Sequence, residues 1–297
     1  MNARLVSTAG TGSTADGSAA RRMTSVEESE FLRDTAREAA RSVRADLLAA
    51  FRSVMDLRFK RDVHDIVTVH DKASEDTITS VILAAVPDST VVGEEGGESG
   101  AGRVHWYVDP IDGTSNFARG IALWCVSIAA VVDGRVVAGV IDNPVMDEVF
   151  SADLNGAWLN GQPLVARAAT DELRATIVSS FPNAHDLELF GTEALSAHAT
   201  LIHGFQAVRN LGSGALNLAH VAAGWADATM GFATKPWDVA AGVLILEQAG
   251  GTYLGYSSGA LTSPSFLAPD YLAVGSGADY PTLRHVVEDL SSRRAGS

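Results

Sequence analysis

The chain has 297 residues, and 46% of them are hydrophobic, so it can bury a substantial core as one large domain or two moderate ones. Its formal net charge of −14 argues against a nucleic-acid-binding surface, which requires clustered lysine and arginine. With no apolar run near the roughly 20 residues that span a bilayer and no apolar signal segment, we expect a cytoplasmic protein without membrane contact. The single cysteine, Cys125, excludes an intrachain disulfide.

The N-terminal part is predicted to contain a tail and two helices. Residues 1–23 are rich in Gly, Ser, Thr and Ala without hydrophobic periodicity, which predicts a disordered tail. Capping-box residues at 24–28 predict the start of a long helix that ends near Met55. A second helix is predicted from Asp71 to Ala85, because its apolar residues recur on one side.

Short β-rich runs follow the second helix, and a mixed pattern follows them. The first predicted strands are Thr90–Gly93, His105–Asp109, Cys125–Val132, Arg135–Asn143 and Glu148–Ala152. From about residue 166 we predict strands near 176–180, 206–208, 226–230 and 272–275, and helices near 186–198, 214–223, 236–248 and 281–291. This order indicates layered helices and sheets in two lobes, an α+β lobe over residues 24–165 and an α/β lobe over residues 166–297.

Acidic residues from four distant segments lie at the ends or starts of predicted elements. Asp71 begins a helix, Glu94 follows a strand, Asp109 and Asp112 follow the next strand, and Asp238 begins another helix. Taken singly, Asp71 and Asp238 equally fit ordinary helix caps, and Glu94 fits a solvated loop. Taken together, carboxylates gathered from distant segments are typical of a two-metal site.

The segment Asp109-Pro110-Ile111-Asp112-Gly113-Thr114 is the most specific of these signals. Hard cations such as Mg²⁺ prefer carboxylate oxygens, and the N–H groups of a turn can receive a phosphate. Pro110 fixes its own φ and biases Asp109 toward extended geometry. Two carboxylates at the end of an apolar strand would be desolvated at a cost without a cation, so we predict a metal and phosphate site here.

These motifs resemble the inositol monophosphatase family of Mg²⁺-dependent, lithium-sensitive phosphatases. The strings that carry the resemblance are Asp65–Asp71, Gly93–Glu95, Trp106–Phe117 and Trp237–Gly242, and it extends from about residue 25 to residue 290. The resemblance implies a layered α-β-α-β-α sandwich of the inositol monophosphatase and fructose-1,6-bisphosphatase type. It also implies a homodimer and two or three Mg²⁺ ions in each active site.

The resemblance assigns metal ligands to matching positions. It implies a first metal held by Glu94, Asp109 and the main-chain carbonyl of Ile111. A second metal would be held by Asp109, Asp112 and Asp238. A weaker third ion would be bound near Glu94 through water.

The resemblance also assigns residues to the chemistry. Thr114, paired with Asp71 and assisted by Glu94, would polarise the attacking water, so no covalent enzyme intermediate is implied. The N–H groups of Gly113 and Thr114 would receive the phosphate, with Asp112 beside the substrate. Lys60 matches a basic residue on a mobile loop near the metals.

The substrate is expected to contact the second lobe. Ser213 and Gly214 match a substrate-wall segment, and Gly231 stands where inositol-specific members have a glutamate that binds hydroxyl groups. Lys235 could contact a second anionic group. Three hypotheses follow: a phosphomonoesterase for a small polyol or sugar phosphate; a phosphatase for 3′-phosphoadenosine 5′-phosphate, fructose 1,6-bisphosphate or histidinol phosphate; and a non-catalytic regulatory binding protein.

Overall fold

The computed structural model describes residues 24–54, 58–59 and 66–294. The predicted tail over residues 1–23 and the loop residue Lys60 therefore lie outside the described residues. Within those ranges, no helix combines the length and the apolar character needed to cross a membrane.

Two long helices begin at side-chain caps. Helix α1 spans Val26–Ala50, and the Ser25 hydroxyl accepts a hydrogen bond from the Glu28 N–H at 3.1 Å. It ends at Ala50, before the predicted end near Met55. Helix α2 spans Val69–Ala85, so it begins two residues before the predicted start, because the preceding threonine caps it.

The first half of the chain forms an eight-stranded sheet and a separate two-stranded ribbon. The ribbon pairs β1 (Arg58–Phe59) with β2 (Ile66–Val67). The sheet consists of β3 (Ser89–Gly93), β4 (Gly97–Gly100), β5 (Val104–Asp112), β6 (Cys125–Val132), β7 (Arg135–Asn143), β8 (Glu148–Asp153), β9 (Gly156–Leu159) and β10 (Gln162–Pro163), in the order β10-β9-β8-β7-β6-β5-β3-β4. Only β3 and β5 pair in parallel among these strands, so their carboxyl ends meet at one edge. That edge carries Glu94 and Asp109.

The second half forms a six-stranded sheet. Its strands are β11 (Thr176–Val178), β12 (Ala207–Arg209), β13 (Ala228–Gly231), β14 (Thr252–Ser257), β15 (Ala260–Leu261) and β16 (Asp270–Val274), in the order β12-β11-β13-β16-β14-β15. Strands β11 and β13 pair in parallel, so the segments that follow them leave the sheet at the same edge. Ser180 and Phe181 follow β11, and Phe232 follows β13.

The remaining helices are α3 (Thr114–Arg119), α4 (Ala184–Phe190), α5 (Thr192–Gly204), α6 (Gly214–Ala222), α7 (Pro236–Gln248) and α8 (Pro281–Arg293). The single helix predicted near 186–198 was wrong, because the chain forms two helices that break at Gly191. This glycine has φ 56° and ψ −135°, a conformation that side-chain-bearing residues rarely adopt.

The elements stack in five layers. Helices α1 and α2 pack on one face of the eight-stranded sheet, α6 and α7 lie between the two sheets, and α5 and α8 pack against the outer face of the smaller sheet. The predicted α-β-α-β-α sandwich is confirmed. The middle helices bury apolar residues against both sheets, so the hydrophobic core between the sheets draws on both halves of the chain. The lobe boundary near residue 165 stays a prediction.

Candidate active site

A cavity of about 280 Å³ opens between the carboxyl edges of the two sheets. Most site residues predicted from the sequence line it: Glu94, Asp109, Ile111, Asp112, Gly113, Thr114, Gly214, Gly231 and Asp238. Ser213 and Lys235 are not in its lining, and Asp71 lies just behind Thr114. The fold therefore brings together carboxylates from β3, β5 and α7 at one cavity.

The turn after β5 places two carboxylates and a carbonyl at the cavity. Pairing with β6 is irregular between Asp109 and Asp112, so this segment departs from the regular ladder. Asp109 is buried, and its Oδ1 accepts a hydrogen bond from the Ile111 N–H at 3.0 Å. Gly113 has φ 92°, which lets the chain turn sharply into α3. The sharp turn allows Thr114 to line the cavity next to Asp112.

Thr114 and Asp71 form a hydrogen-bonded pair across two elements. The Thr114 Oγ1 lies 3.2 Å from the Asp71 Oδ1 and 2.9 Å from the carbonyl oxygen of Ile111. The other oxygen of Asp71 accepts hydrogen bonds from the N–H and the hydroxyl of Thr68, at 2.8 and 2.7 Å. Burial raises the pKa of Asp71, which makes this carboxylate a better proton acceptor. The pair can therefore orient the Thr114 hydroxyl and share its proton.

Three cavity-side carboxylates are oriented by the same local device. Asp71, Asp186 and Asp238 each stand at the third position of a helix, and each accepts a hydrogen bond from the N–H of its helix's N-cap residue. The distances are 2.8 Å from Thr68 to Asp71, 2.9 Å from Asn183 to Asp186 and 2.8 Å from Lys235 to Asp238. Because this arrangement holds one carboxylate oxygen, the other can serve a second purpose.

Asp112 is held by the start of α6. Its carboxylate accepts hydrogen bonds from the Ser213 hydroxyl, from the Ala215 N–H at 2.7 Å and from the Gly214 N–H at 3.3 Å. The Ser213 hydroxyl oxygen also caps α6 by accepting from the Leu216 N–H at 3.2 Å. Ser213 thus orients a predicted metal ligand from behind rather than lining the cavity.

Glu94 is placed by the β3–β5 pairing and by a buried carboxylate that the sequence patterns did not indicate. The Glu94 N–H donates to the carbonyl of Val108 at 3.2 Å. Glu75, one turn after Asp71 in α2, is 3% exposed and accepts a hydrogen bond from the Glu95 N–H at 2.7 Å. A Cβ atom at Gly93 would collide with the Glu75 carboxylate, so only glycine allows this close approach. The sequence signal that could have indicated Glu75 is its spacing from Asp71, which puts both residues on one face of the helix.

Burial and neighbouring negative charges raise the pKa values of Asp109 and Asp238. Burial raises the pKa of Asp109 well above its usual range, and the negative charges of Glu94, Asp112 and Asp238 add to the effect. Burial likewise raises the pKa of Asp238 to about 7, with Asp112 and Glu94 contributing and the Lys235 N–H opposing. Such a set of desolvated like charges is what a divalent cation compensates.

The donor set of the cavity fits a hard cation. The available atoms are carboxylate oxygens and the Ile111 carbonyl, which suit Mg²⁺ and not a soft metal. Over the described ranges, no three His, Cys, Asp or Glu side chains converge tightly enough to hold a metal ion as they stand.

Gly231 cannot simply be exchanged for a residue with a side chain. A Cβ atom there would lie 2.6 Å from the ring of Tyr271, and that ring is buried and stacked on Tyr253 at 5.1 Å. Gly214 differs, because a Cβ there would meet its nearest neighbour, the Asp238 Cβ, at 4.0 Å. Lys235 is exposed at the N-cap of α7.

The opposite side of the cavity is formed by residues that the sequence patterns did not single out. We call these residues the far wall: Ser180, Phe181, Asn183, Asp186 and Phe232. The residues that line the cavity from the carboxylate-rich side are called the metal wall: Glu94, Asp109, Asp112, Thr114 and Asp238. The only sequence signal for the far wall was the capping-box spacing of Asn183 and Asp186.

Comparison with known proteins adds one family and several relatives. A family model described as the inositol monophosphatase family matches residues 28–291. A fructose-1,6-bisphosphatase/inositol-1-monophosphatase of Aquifex aeolicus is 35% identical over 193 residues, or 64% of this chain and 72% of that protein. A protein named Nus factor SuhB from Pseudomonas aeruginosa is 33% identical over 235 residues, or 77% and 85% of the two chains. The solved inositol monophosphatase of Anabaena superposes with a TM-score of 0.71 at 30% identity, covering 90% of this chain and 96% of that one.

Proposed function

Because the chain belongs to the inositol monophosphatase family, we propose that it is a Mg²⁺-dependent phosphomonoesterase that hydrolyses a small phosphorylated metabolite with an activated water. One observation carries the proposal: the hydrogen-bonded pair of Thr114 and Asp71 lies beside the carboxylates of the metal wall. A purely structural cluster would have no need for an oriented hydroxyl in the lining of a carboxylate-rich cavity.

The family resemblance assigns the cation ligands, and every assigned residue lines the cavity. Glu94, Asp109 and the carbonyl of Ile111 would hold one Mg²⁺, and Asp109, Asp112 and Asp238 would hold another. Mg²⁺ bound there would neutralise the carboxylates and stabilise charge on the phosphoryl and leaving oxygens. Ser213 and the α6 N–H groups fix Asp112, so its remaining lone pairs point in a set direction.

The water is activated by this chain's own hydroxyl and carboxylates. Thr114 has one hydroxyl proton, which it donates to Asp71; as the water gives a proton to the Thr114 Oγ1, the hydroxyl proton passes to the Asp71 carboxylate. Glu94 assists from the end of the neighbouring parallel strand β3. The N–H groups of Gly113 and Thr114 would orient the phosphate, so that phosphorus faces the water.

The cavity lining favours a substrate with a single phosphate. Among the described residues that line it, there is no Lys, Arg or His. A bisphosphate or 3′-phosphoadenosine 5′-phosphate would bring a second phosphate that needs a cationic partner away from the metal wall. The predicted partner, Lys235, is exposed and outside the lining.

The proposal is tested by phosphate release from a panel of monoesters and bisphosphates, with Mg²⁺ titrated and Li⁺ added. We expect turnover of monoesters that depends on Mg²⁺ and is inhibited by Li⁺. Mg²⁺-independent turnover, or release of phosphate from none of the panel by a folded and Mg²⁺-binding protein, would remove the assignment.

A regulatory role is the second candidate, because several relatives carry the name Nus factor SuhB. Under this hypothesis the protein acts through a macromolecular partner, and Asp109→Asn protein would still capture that partner while no ester is turned over. The complete metal wall favours the enzyme. The homodimer and the cytoplasmic location remain predictions that sedimentation and cell fractionation can check.

A further inference from the structure

Asp186 presents a carboxylate to the cavity away from the metal wall. The side chain is 2% exposed, and its Oδ2 is used by the Asn183 N–H at 2.9 Å. Its Oδ1 takes no hydrogen bond within the described ranges of the chain, and the residue lines the cavity. A helix cap needs only one of the two oxygens, so the capping role leaves the other available to a ligand.

The charges around Asp186 separate it from the predicted metal ligands. Burial raises its pKa to about 6, and the charges that act on it belong to His185, Asp270 and Arg294. Arg294 already forms an ion pair with Asp270 and is not part of the cavity lining. Two divalent cations would balance the four carboxylates of the metal wall, so Asp186 is left without a cation inside the cavity.

A second buried polar group of the cavity is also unsatisfied. Asn217 lines the cavity from α6, is 2% exposed, and its Oδ1 has no hydrogen-bond partner within the described residues. Buried amide oxygens without a partner are rare, because the lost hydrogen bond with water is not replaced. Asn217 thus carries a second unsatisfied acceptor beside the cavity, with the oxygen itself closed off from the cavity space.

Two aromatic rings complete the far wall. Phe181 and Phe232 both line the cavity, with ring centroids 5.2 Å apart and an angle of 58° between the rings. Ring faces attract cations, and they offer nothing to the many hydroxyl groups of a polyol. Gly231, where a hydroxyl-binding glutamate would stand, has no room for a side chain.

We propose that the far wall binds an amino group, so that the preferred substrate is the phosphate monoester of an amino alcohol whose ammonium pairs with Asp186. The inference rests on the proposed phosphatase function for its phosphate end. The ammonium donates to the Asp186 Oδ1 and lies against Phe181 and Phe232.

The test compares two series of esters in saturating Mg²⁺: ω-aminoalkyl phosphates and ω-hydroxyalkyl phosphates with two to four carbons. The different chain lengths sample the distance from phosphate to Asp186. For the best-fitting length, we expect the amino ester to have a kcat/KM about 10-fold above its hydroxyl twin, mainly through KM.

The Asp186→Asn variant keeps an oxygen for the Asn183 N–H and loses the charge. It should lower kcat/KM for the amino ester about 10-fold or more and leave the hydroxyl ester within about 2-fold.

Asp171→Asn is the matched control, since Asp171 also accepts a capping N–H, from Leu173 at 3.0 Å, but is exposed and outside the cavity lining. It should leave both series unchanged. The amine site is overturned if the hydroxyl esters are hydrolysed as well as the amino esters at every length, or if Asp186→Asn lowers both series equally.

Binding without turnover separates this inference from the phosphatase assignment. Free 3-amino-1-propanol and 1,3-propanediol are titrated into wild-type and Asp186→Asn protein and followed by NMR. Selective binding of the amino alcohol that depends on Asp186 supports the amine site, even if no ester releases phosphate and the phosphatase assignment fails. If the two alcohols bind equally in both proteins while phosphate esters are still hydrolysed, the amine site is overturned and the phosphatase assignment stands.

Discussion

The same local device serves both walls of the cavity: it orients Asp71 behind Thr114 of the metal wall, and it orients Asp186 in the far wall. Asp71 and Asp186 are both buried third-position residues of a helix, and both give one oxygen to the N–H of the N-cap residue. The second oxygen of Asp71 meets the Thr114 hydroxyl, whereas that of Asp186 meets no hydrogen-bond donor within the described parts of the chain. Helix capping therefore orients a carboxylate, and the neighbour supplied by the fold decides whether it serves the chemistry or the substrate.

The largest effect is expected from the metal wall. Asp109→Asn removes the carboxylate assigned to both cations, and we expect kcat/KM for any monoester to fall on the order of 1,000-fold, since losing even an outer-shell partner of a metal costs about 10–100-fold. Calorimetry with Mg²⁺ should show weaker binding. The control is Asp142→Asn, a buried aspartate of β7 outside the cavity lining, which should keep most activity. An active Asp109→Asn enzyme would break the metal assignment.

Substitutions of Thr114 test the proposed proton path, which belongs to the metal wall and has no counterpart in the far wall. Thr114→Val removes the hydroxyl that pairs with Asp71 and keeps the shape, so kcat should fall about 100-fold or more with little change in KM. Thr114→Ser restores the hydroxyl and should recover most of the rate. Steady-state kinetics decide the point, and equal losses in the two variants would show that the methyl group, not the hydroxyl, matters.

Glu75 tests whether the metal wall depends on support from behind. Glu75→Ala removes the acceptor of the Glu95 N–H and loosens the loop that carries Glu94, so we expect Mg²⁺ affinity to fall about 10-fold. Glu75→Gln keeps an acceptor and should lose less. Asp76→Asn, on the exposed side of the same helix, serves as the control for both. Unchanged Mg²⁺ binding in Glu75→Ala, measured by calorimetry, would argue against positioning.

Two glycines of the cavity lining should respond differently to alanine. Gly231→Ala places a Cβ against the stacked ring of Tyr271, so we expect it to lower the unfolding free energy by about 1–3 kcal/mol. Gly214→Ala has space for its methyl group and should change stability by no more than about 0.5 kcal/mol. Urea denaturation measures both changes. Equal stability of the two variants would contradict the described packing around Gly231.

The smallest effect concerns pH. The pKa of Asp238 is raised by burial from 3.8 to about 7, and that of Asp186 to about 6, so the folded protein holds protons that the unfolded chain has lost. The stability these protons provide is complete below about pH 4 and is lost as pH rises through 6 to 7. Mg²⁺ should cancel the contribution of Asp238 and leave that of Asp186.

Thermal unfolding between pH 4.5 and 8, with chelator or with Mg²⁺, checks the direction in which stability changes with pH. In chelator, Asp238→Asn should raise the Tm at pH 8 by about 2 °C or more relative to wild type. With Mg²⁺, Asp186→Asn should flatten the remaining slope, and Asp238→Asn should not. Identical pH profiles with and without Mg²⁺ would contradict the assignment of Asp238 to the metal wall.

Local sequence patterns predicted some elements of the fold well and missed others. The strands over 125–132 and 135–143 and the helix over 236–248 match the structure residue for residue. The break at Gly191 was missed because the apolar pattern continues across it. Strands β4 and β14 were missed because they are short or rich in glycine and tyrosine without clear alternation.

By itself, the sequence determined the metal wall, because its carboxylates are set by short-range geometry: a turn after a strand and the third position of a helix. It also determined the layered fold class through the order of its elements. Only the tertiary structure decided which other groups face these carboxylates. Glu75 meets Gly93 through packing of α2 on the sheet, and Asp186 and Phe232 come to line the same wall of the cavity because β11 and β13 pair in parallel. Such contacts join residues far apart in the chain, so no local spacing encodes them.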